Sequence, residues 1–196
     1  MIDRTVPYFP VWMLREDGAP VLARSLPAGY RFDFCQPETG RQDWVTVQLS
    51  SRQLETRAEA ERLFDSEFMS RAEALPRRML FVRDCAGTPV ASATLWFGSP
   101  FGAEIDRVHW VATDEAHQRR GLCSAMLSKL LSLHEALGTP GGVYLISQTF
   151  SYPAIRIYQR FGFQRLLTRR PAEYHLDAPF EETAERAWAI IDEKLR

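Results

Sequence analysis

The chain is poor in lysine: Lys129 and Lys194 are the only two among 196 residues, so nearly all its positive charge is arginine. It also lacks an excess of either sign, with 24 basic residues against 25 acidic ones and a formal net charge of −1. Without a basic surplus there is little electrostatic drive toward a phosphate backbone, and no nucleic-acid partner is expected. Cysteine is scarce. Cys35, Cys85 and Cys123 are widely spaced and form no C-x-x-C pair, which argues against a disulfide framework and a zinc site. Reduced thiols and no metal are the expectation. Long apolar runs are missing as well, none approaching the roughly 18 residues of a membrane helix. The first residues, "MIDRTVPYFPVWMLRED", lack a basic segment followed by an apolar core. No membrane partner is expected, and a cytoplasmic location follows as the default.

What is present is the composition of a folded domain: 45% hydrophobic and 25% charged residues, in a chain long enough to bury a real core. Residues 1–29 hold Pro7, Pro10, Pro20 and Pro27 around one short apolar piece, "VWMLR". They read as an N-terminal arm carrying a candidate edge strand. Residues 30–196 read as a single domain. "YRFDF" alternates like a strand, and "PETGRQDWVTVQLSS" leads through turn residues into a short helix. Thr56 caps an amphipathic helix running to about Ser70, with Glu59 three residues on and Leu63, Phe64, Phe68 and Met69 at helical spacing.

"RMLFVRDCAGTPVASATLWF" reads as a hairpin turning at Ala86–Pro89, and a further strand covers about Ile105–Thr113. A helix from Gly121 to about Leu137 ends at "GTPGG"; then come the strand "VYLISQ", the short helix "YPAIRIYQR", a strand in "FGFQRLLT" and a last helix in "FEETAERAWAIIDEKLR". Antiparallel strands early and alternating strands and helices late predict an α/β fold of the α+β type. Its sheet is mixed, mostly antiparallel, with six to seven strands flanked by helices.

The chemistry concentrates where a strand hands over to a helix, in "TDEAHQRRGLCSA". This junction has no G-x-x-x-x-G-K-[ST], and its single glycine cannot make G-x-G-x-x-G. It still offers an anion site, because backbone N–H groups from Arg119 to Ser124 point outward at a helix start where the dipole adds positive potential. Gly121 would let a phosphate approach without a Cβ in the way. The pattern resembles the pyrophosphate loop [QR]-x-x-G-x-[GA] of the GCN5-related N-acetyltransferase (GNAT) superfamily, here Gln118, Arg119, Arg120, Gly121, Leu122 and Cys123. Cys123 departs from that pattern but is small. "HWVAT" before the loop and A-x-x-x-Y-x-x-x-G-F after it, at Ala154, Tyr158, Gly162 and Phe163, fall in the family's order. The resemblance is clear over about Arg78–Leu167.

The resemblance implies the GNAT (acyl-CoA N-acyltransferase) fold for residues 30–196 and acetyl-CoA as cosubstrate. Its pyrophosphate would rest on Gln118, Arg119, Arg120, Gly121, Leu122, Cys123 and Ser124, and its pantetheine would run along Val111, Ala112 and Thr113. An amine would attack the thioester directly, giving Cys123 no nucleophilic role. Tyr158, a phenol protonated at neutral pH, would supply the acid beside the departing sulfur. For the base, His109 stands two residues before Val111, which strand alternation places on the same face. A histidine packed in the core is an equal reading, and Glu104 and Asp106, acting through water, rank below it. Ser151 stands where many relatives carry asparagine and would touch pantetheine or, by the stronger reading, cap the helix at Pro153. Trp44, Trp96 and Trp110 are expected to pack.

The function so implied is transfer of an acetyl group to a primary amine of a small molecule, by a monomer or homodimer. A protein or peptide N-acetyltransferase, or a non-catalytic CoA-binding sensor or scaffold, are the alternatives.

Overall fold

The computed structural model describes residue 3 and residues 5–196; residues 1, 2 and 4 of the N-terminal arm lie outside the described part. Its strands are β1 (Pro10–Arg15), β2 (Arg31–Phe34), β3 (Met79–Arg83), β4 (Pro89–Gly98), β5 (Ile105–Thr113), β6 (Val143–Gln148) and β7 (Gln164–Arg165). The helices are α1 (Gly40–Ser50), α2 (Arg57–Phe68), α3 (Leu75–Arg78), α4 (Leu122–Leu137), α5 (Tyr152–Arg160) and α6 (Phe180–Leu195). Local signals set many of these bounds. Thr56 accepts a hydrogen bond from the Glu59 N–H at 3.2 Å and starts α2, as the capping pattern predicts. Asp84 accepts from the N–H groups of Ala86 and Thr88 at 3.0 and 2.9 Å, and so closes the β3–β4 hairpin.

The seven strands form one mixed sheet in the order β2-β3-β4-β5-β6-β1-β7. β5 runs parallel to β6, with Asp106, Arg107 and Val108 opposite Val143, Tyr144 and Leu145. β1 is antiparallel to β6 and to β7, and β3 to β2 and β4. The segment "VWMLR" is therefore a strand but not an edge strand: β1 is paired on both sides. The reason is long-range register: Pro10–Arg15 pairs with Gln148–Val143 on one flank, and Met13 and Leu14 pair with Arg165 and Gln164 on the other, while Val11, Trp12 and Met13 are buried on the faces.

Two compact units divide the chain. One holds residues 1–21, 97–108 and 134–196; the other holds residues 22–96 and 109–133. In the first, Trp12 stacks on Tyr144 with ring centres 6.2 Å apart, and Ile105, Tyr174, Phe180 and Ala184 complete the cluster. α6 covers β1 and α5. In the second, buried side chains of α1 and α2 join an aromatic cluster. Trp44 meets Phe64, Phe68 and Trp110 at 5.6, 5.8 and 5.2 Å, and Phe68 meets Trp96 at 5.1 Å. Trp44 and Trp96 are thus packing residues, as expected.

A polar link within the first unit has no counterpart in the sequence reading. His134 Nδ1 lies 2.7 Å from Asp106 and its Nε2 lies 3.1 Å from Asp17, which also accepts from the N–H groups of Gly141 and Gly142. Asp106, fully buried, is held by this histidine and is neither a surface salt-bridge partner nor a water-side base. His134→Ala should cost about 3 kcal/mol by leaving a buried carboxylate without that partner. Thermal unfolding should then move down by about 6–12 °C; a midpoint within 2 °C of the parent (about the noise of such a comparison) would refute the link's importance. Burial pushes the Asp17 carboxyl up, but the hydrogen bonds from Gly141, His134 and Gly142 outweigh it and hold the group below its usual range. A depressed carboxylate stabilises the fold above its unfolded pKa, so this contribution is lost as the pH falls below about 4.

Candidate active site

The second unit contains the strand-to-helix junction whole. Asp114 opens it: its side chain accepts from the Ala116 N–H at 2.8 Å and its own N–H donates to the Val90 carbonyl at 2.8 Å. Gln118 then turns back, its Nε2 donating to the Thr113 carbonyl at 3.2 Å, so this side chain ties the loop to the end of β5. Arg119 takes φ 60° and Gly121 φ 84°. Positive φ on both sides of Arg120 is the alternation of backbone hand from which anion-binding nests of N–H groups are built.

α4 follows at once. Ala125 N–H to Gly121 C=O, 3.0 Å, begins its ladder, so Leu122, Cys123 and Ser124 carry the N–H groups that a helix leaves unpaired at its start. A Cβ built on Gly121 would meet no atom within 4 Å. The exposed backbone there is open to a ligand.

The two arginines differ. Arg120 donates to the Tyr30 hydroxyl and to the Ala116 carbonyl, each at 3.2 Å, and Tyr30 is bonded at 2.8 Å to His117 Nδ1. Arg120 therefore braces the loop, a part that its position next to the glycine did not reveal. Arg119 is exposed. Cys123 is half-exposed at the helix start, and desolvation pushes its thiol up to about 12, so it remains a thiol at neutral pH. That agrees with its having no nucleophilic role.

β5 carries the second feature. Trp110 has φ 48°, one of three described non-glycine residues with positive φ, with Arg52 and Arg119. Two of the three bracket Val111–Gln118, the stretch singled out from the sequence. A bulky residue rarely adopts this conformation, and such strain persists where the fold has a use for it. Trp110 also breaks the extended run of β5 between His109 and Val111. Its indole N–H is buried with no hydrogen-bond partner among the described residues. Beyond it Val111 and Thr113 are half-buried while Ala112 is buried.

His109 Nε2 lies 2.8 Å from a carboxylate oxygen of Glu67 on α2, and its ring packs at 6.1 Å from Phe68 and 5.6 Å from Trp110. The sequence reading did not single out Glu67. Its only early signal is that it precedes Phe68, whose ring faces the same core.

Ser151 and Tyr158 belong to the first unit. Ser151 stands at the N-cap of α5 but makes no capping bond; its hydroxyl donates to Gln148 Oε1 at 3.3 Å instead. The capping role is therefore corrected: the preceding turn, residues 149–151, is already helical, and at φ −97°, ψ 23° Ser151 lacks the extended conformation that capping side chains favour. Tyr158 is buried on α5, 7% exposed, with its ring 6.1 Å from Phe163.

Residues 44–163, more than half of the chain, match the family model of the GNAT acetyltransferases. The chain belongs to that family. Solved structures share the fold. A GCN5-related N-acetyltransferase from Sphaerobacter thermophilus matches 81% of this chain with TM-score 0.64 and 16% identity. A GCN5-related N-acetyltransferase from Kribbella flavida matches 83% with TM-score 0.52 and 17% identity. A GNAT-family acetyltransferase from Colwellia psychrerythraea matches 82% with TM-score 0.61 and 9% identity. The aligned part makes up 49%, 55% and 54% of those three proteins, so this GNAT chain spans about half their length. No curated protein matches it. Among the described residues, no helix is long and apolar enough to cross a membrane.

Proposed function

We propose that this GNAT chain is an acetyl-CoA-dependent N-acetyltransferase that moves the acetyl group directly to a primary amine, most simply that of a small molecule. The observation that carries the reading is the backbone at Arg119–Gly121, followed at once by the unpaired N–H groups of Leu122, Cys123 and Ser124. These groups fit a pyrophosphate by main-chain donation, with Gly121 giving access. Val111, Ala112 and Thr113 would hold the pantetheine arm by strand-like pairing.

An alkylamine of pKa about 10.4 is less than one part in a thousand neutral at pH 7, a deficit of about 4.6 kcal/mol that deprotonation must overcome before attack. His109 is the proposed base. A backbone N–H near Trp110–Val111 would polarise the thioester carbonyl, and Tyr158 would protonate the departing thiolate. The reading explains why Cys123 can remain a protonated thiol, since direct transfer needs no enzyme nucleophile.

The test is a thiol-release assay with acetyl-CoA over a panel of primary amines and N-terminal peptides. Thiol release with a free amine above the peptides is expected. Preference for peptides would overturn the small-molecule assignment, and binding of acetyl-CoA without turnover would overturn the catalytic one.

A further inference from the structure

Resting on the acetyl-transfer reading above, we infer that Glu67 is a positioning residue: it holds His109 in the tautomer whose Nδ1 is the basic nitrogen. A carboxylate accepts and does not donate, so at 2.8 Å from Glu67 Oε2 the His109 Nε2 is the nitrogen that carries the proton. In the neutral ring the lone pair is then on Nδ1. The ring is also fixed in plane and direction. Phe68, next to Glu67 on α2, packs against it from one element and Trp110 from its own strand. Trp110 is in turn wedged against the buried Trp44 of α1 and held at φ 48°.

Glu67 is a carboxylate within ion-pair distance of His109. Arg71 follows four residues after Glu67 and is the nearest cation to it in sequence. β4, next to β5 in the sheet, has no ionisable side chain from Pro89 to Gly98. The charged groups of α1 are engaged elsewhere: Arg41 with Asp65 at 2.8 Å and Asp43 with Arg83. Arg107, on His109's own strand, lies over the Tyr144 ring at 5.8 Å.

The proton step balances with these residues. The acceptor ammonium gives its proton, directly or through water, to Nδ1, and Glu67 stabilises the imidazolium through Nε2–H. The freed nitrogen lone pair forms the C–N bond and the C–S bond breaks; the thiolate takes a proton from Tyr158, the second proton of the acylated nitrogen passes through water to the phenolate, and the His109 proton leaves to solvent. Dependence on Glu67 follows, because an adjacent carboxylate raises a histidine's affinity for its proton.

The experiment uses the full chain labelled with 15N-histidine, alone and with acetyl-CoA, followed by pH profiles of thiol release with the fastest amine of the panel. The wild type should show a protonated Nε2 and an unprotonated Nδ1 at His109 above its titration. Glu67→Gln keeps the size of the side chain and removes its charge. It should lower the His109 titration by about one unit, move the acid limb of kcat/KM down by the same amount, and cut the plateau of kcat/KM several-fold, up to about tenfold. Acetyl-CoA affinity should not change.

A wild-type His109 protonated on Nδ1 would overturn the inference, whether or not the variant folds. So would a Glu67→Gln protein with unmoved titration and an unmoved acid limb. Failure of the wild type to bind acetyl-CoA would instead strike the acetyl-transfer reading, and the tautomer would still decide the role of Glu67.

Discussion

Gly121→Asp should weaken acetyl-CoA binding by at least about a thousandfold and leave a folded protein. The effect separates into conformation and charge. At φ 84° any side chain is strained, yet a Cβ would meet nothing within 4 Å, so the cost to the fold is that of the backbone alone. That cost is about 1–2 kcal/mol, less for Asp and Asn, which tolerate the left-handed region better than most residues.

The carboxylate, however, would stand at the start of α4, in the open space where the pyrophosphate is proposed to lie. Two unit charges about 4 Å apart near a protein surface repel by about 4 kcal/mol, or roughly three orders of magnitude in affinity. Gly121→Asn pays the same backbone cost without the charge and is the control. Asn should lose about tenfold or less, and Asp far more. Equal losses for Asp and Asn in calorimetric titration would remove the pyrophosphate from this loop.

Tyr158→Phe should lower kcat by on the order of 10²-fold while leaving acetyl-CoA affinity unchanged. The ring that meets Phe163 is retained, so this packing of α5 is kept while the phenolic hydroxyl is lost. If Tyr158 protonates the thiolate, the loss appears in the chemical step and the alkaline limb of the pH profile moves. Unchanged kcat in the variant, with chemistry shown to be rate-limiting by single turnover, would leave Tyr158 as a packed aromatic and nothing more.

Where the fold is governed by neighbours in sequence, it was legible from sequence. Thr56 and Glu59 announce the start of α2, the β3–β4 hairpin is written in its turn residues, and the strand read at about Ile105–Thr113 has the ends of β5. Long-range pairing was not legible. "VWMLR" looks the same whether one flank or both are paired, and only the register with β6 and β7 makes β1 interior. The His134 link joins residues 28 and 117 positions away, a separation over which no local pattern speaks.

The site divides in the same way. Gln118–Ser124, the proposed pyrophosphate grip, stood out in the sequence because a glycine at a helix start is a local signal. The left-handed Trp110 could not, since a tryptophan inside an alternating strand gives every local reason to stay extended. His109 was found by its residue type, but its partner was not: Glu67 is 42 residues away on another element, and its neighbours "DSEFMS" read as an ordinary amphipathic turn.

The most direct test of the account is calorimetric titration of the unmodified chain with acetyl-CoA. One site per chain is expected, with affinity that falls when the pyrophosphate is missing, as with acetyl-pantetheine as titrant. No binding of acetyl-CoA, or equal binding of acetyl-pantetheine, would contradict the claim that Gln118–Ser124 grips a pyrophosphate.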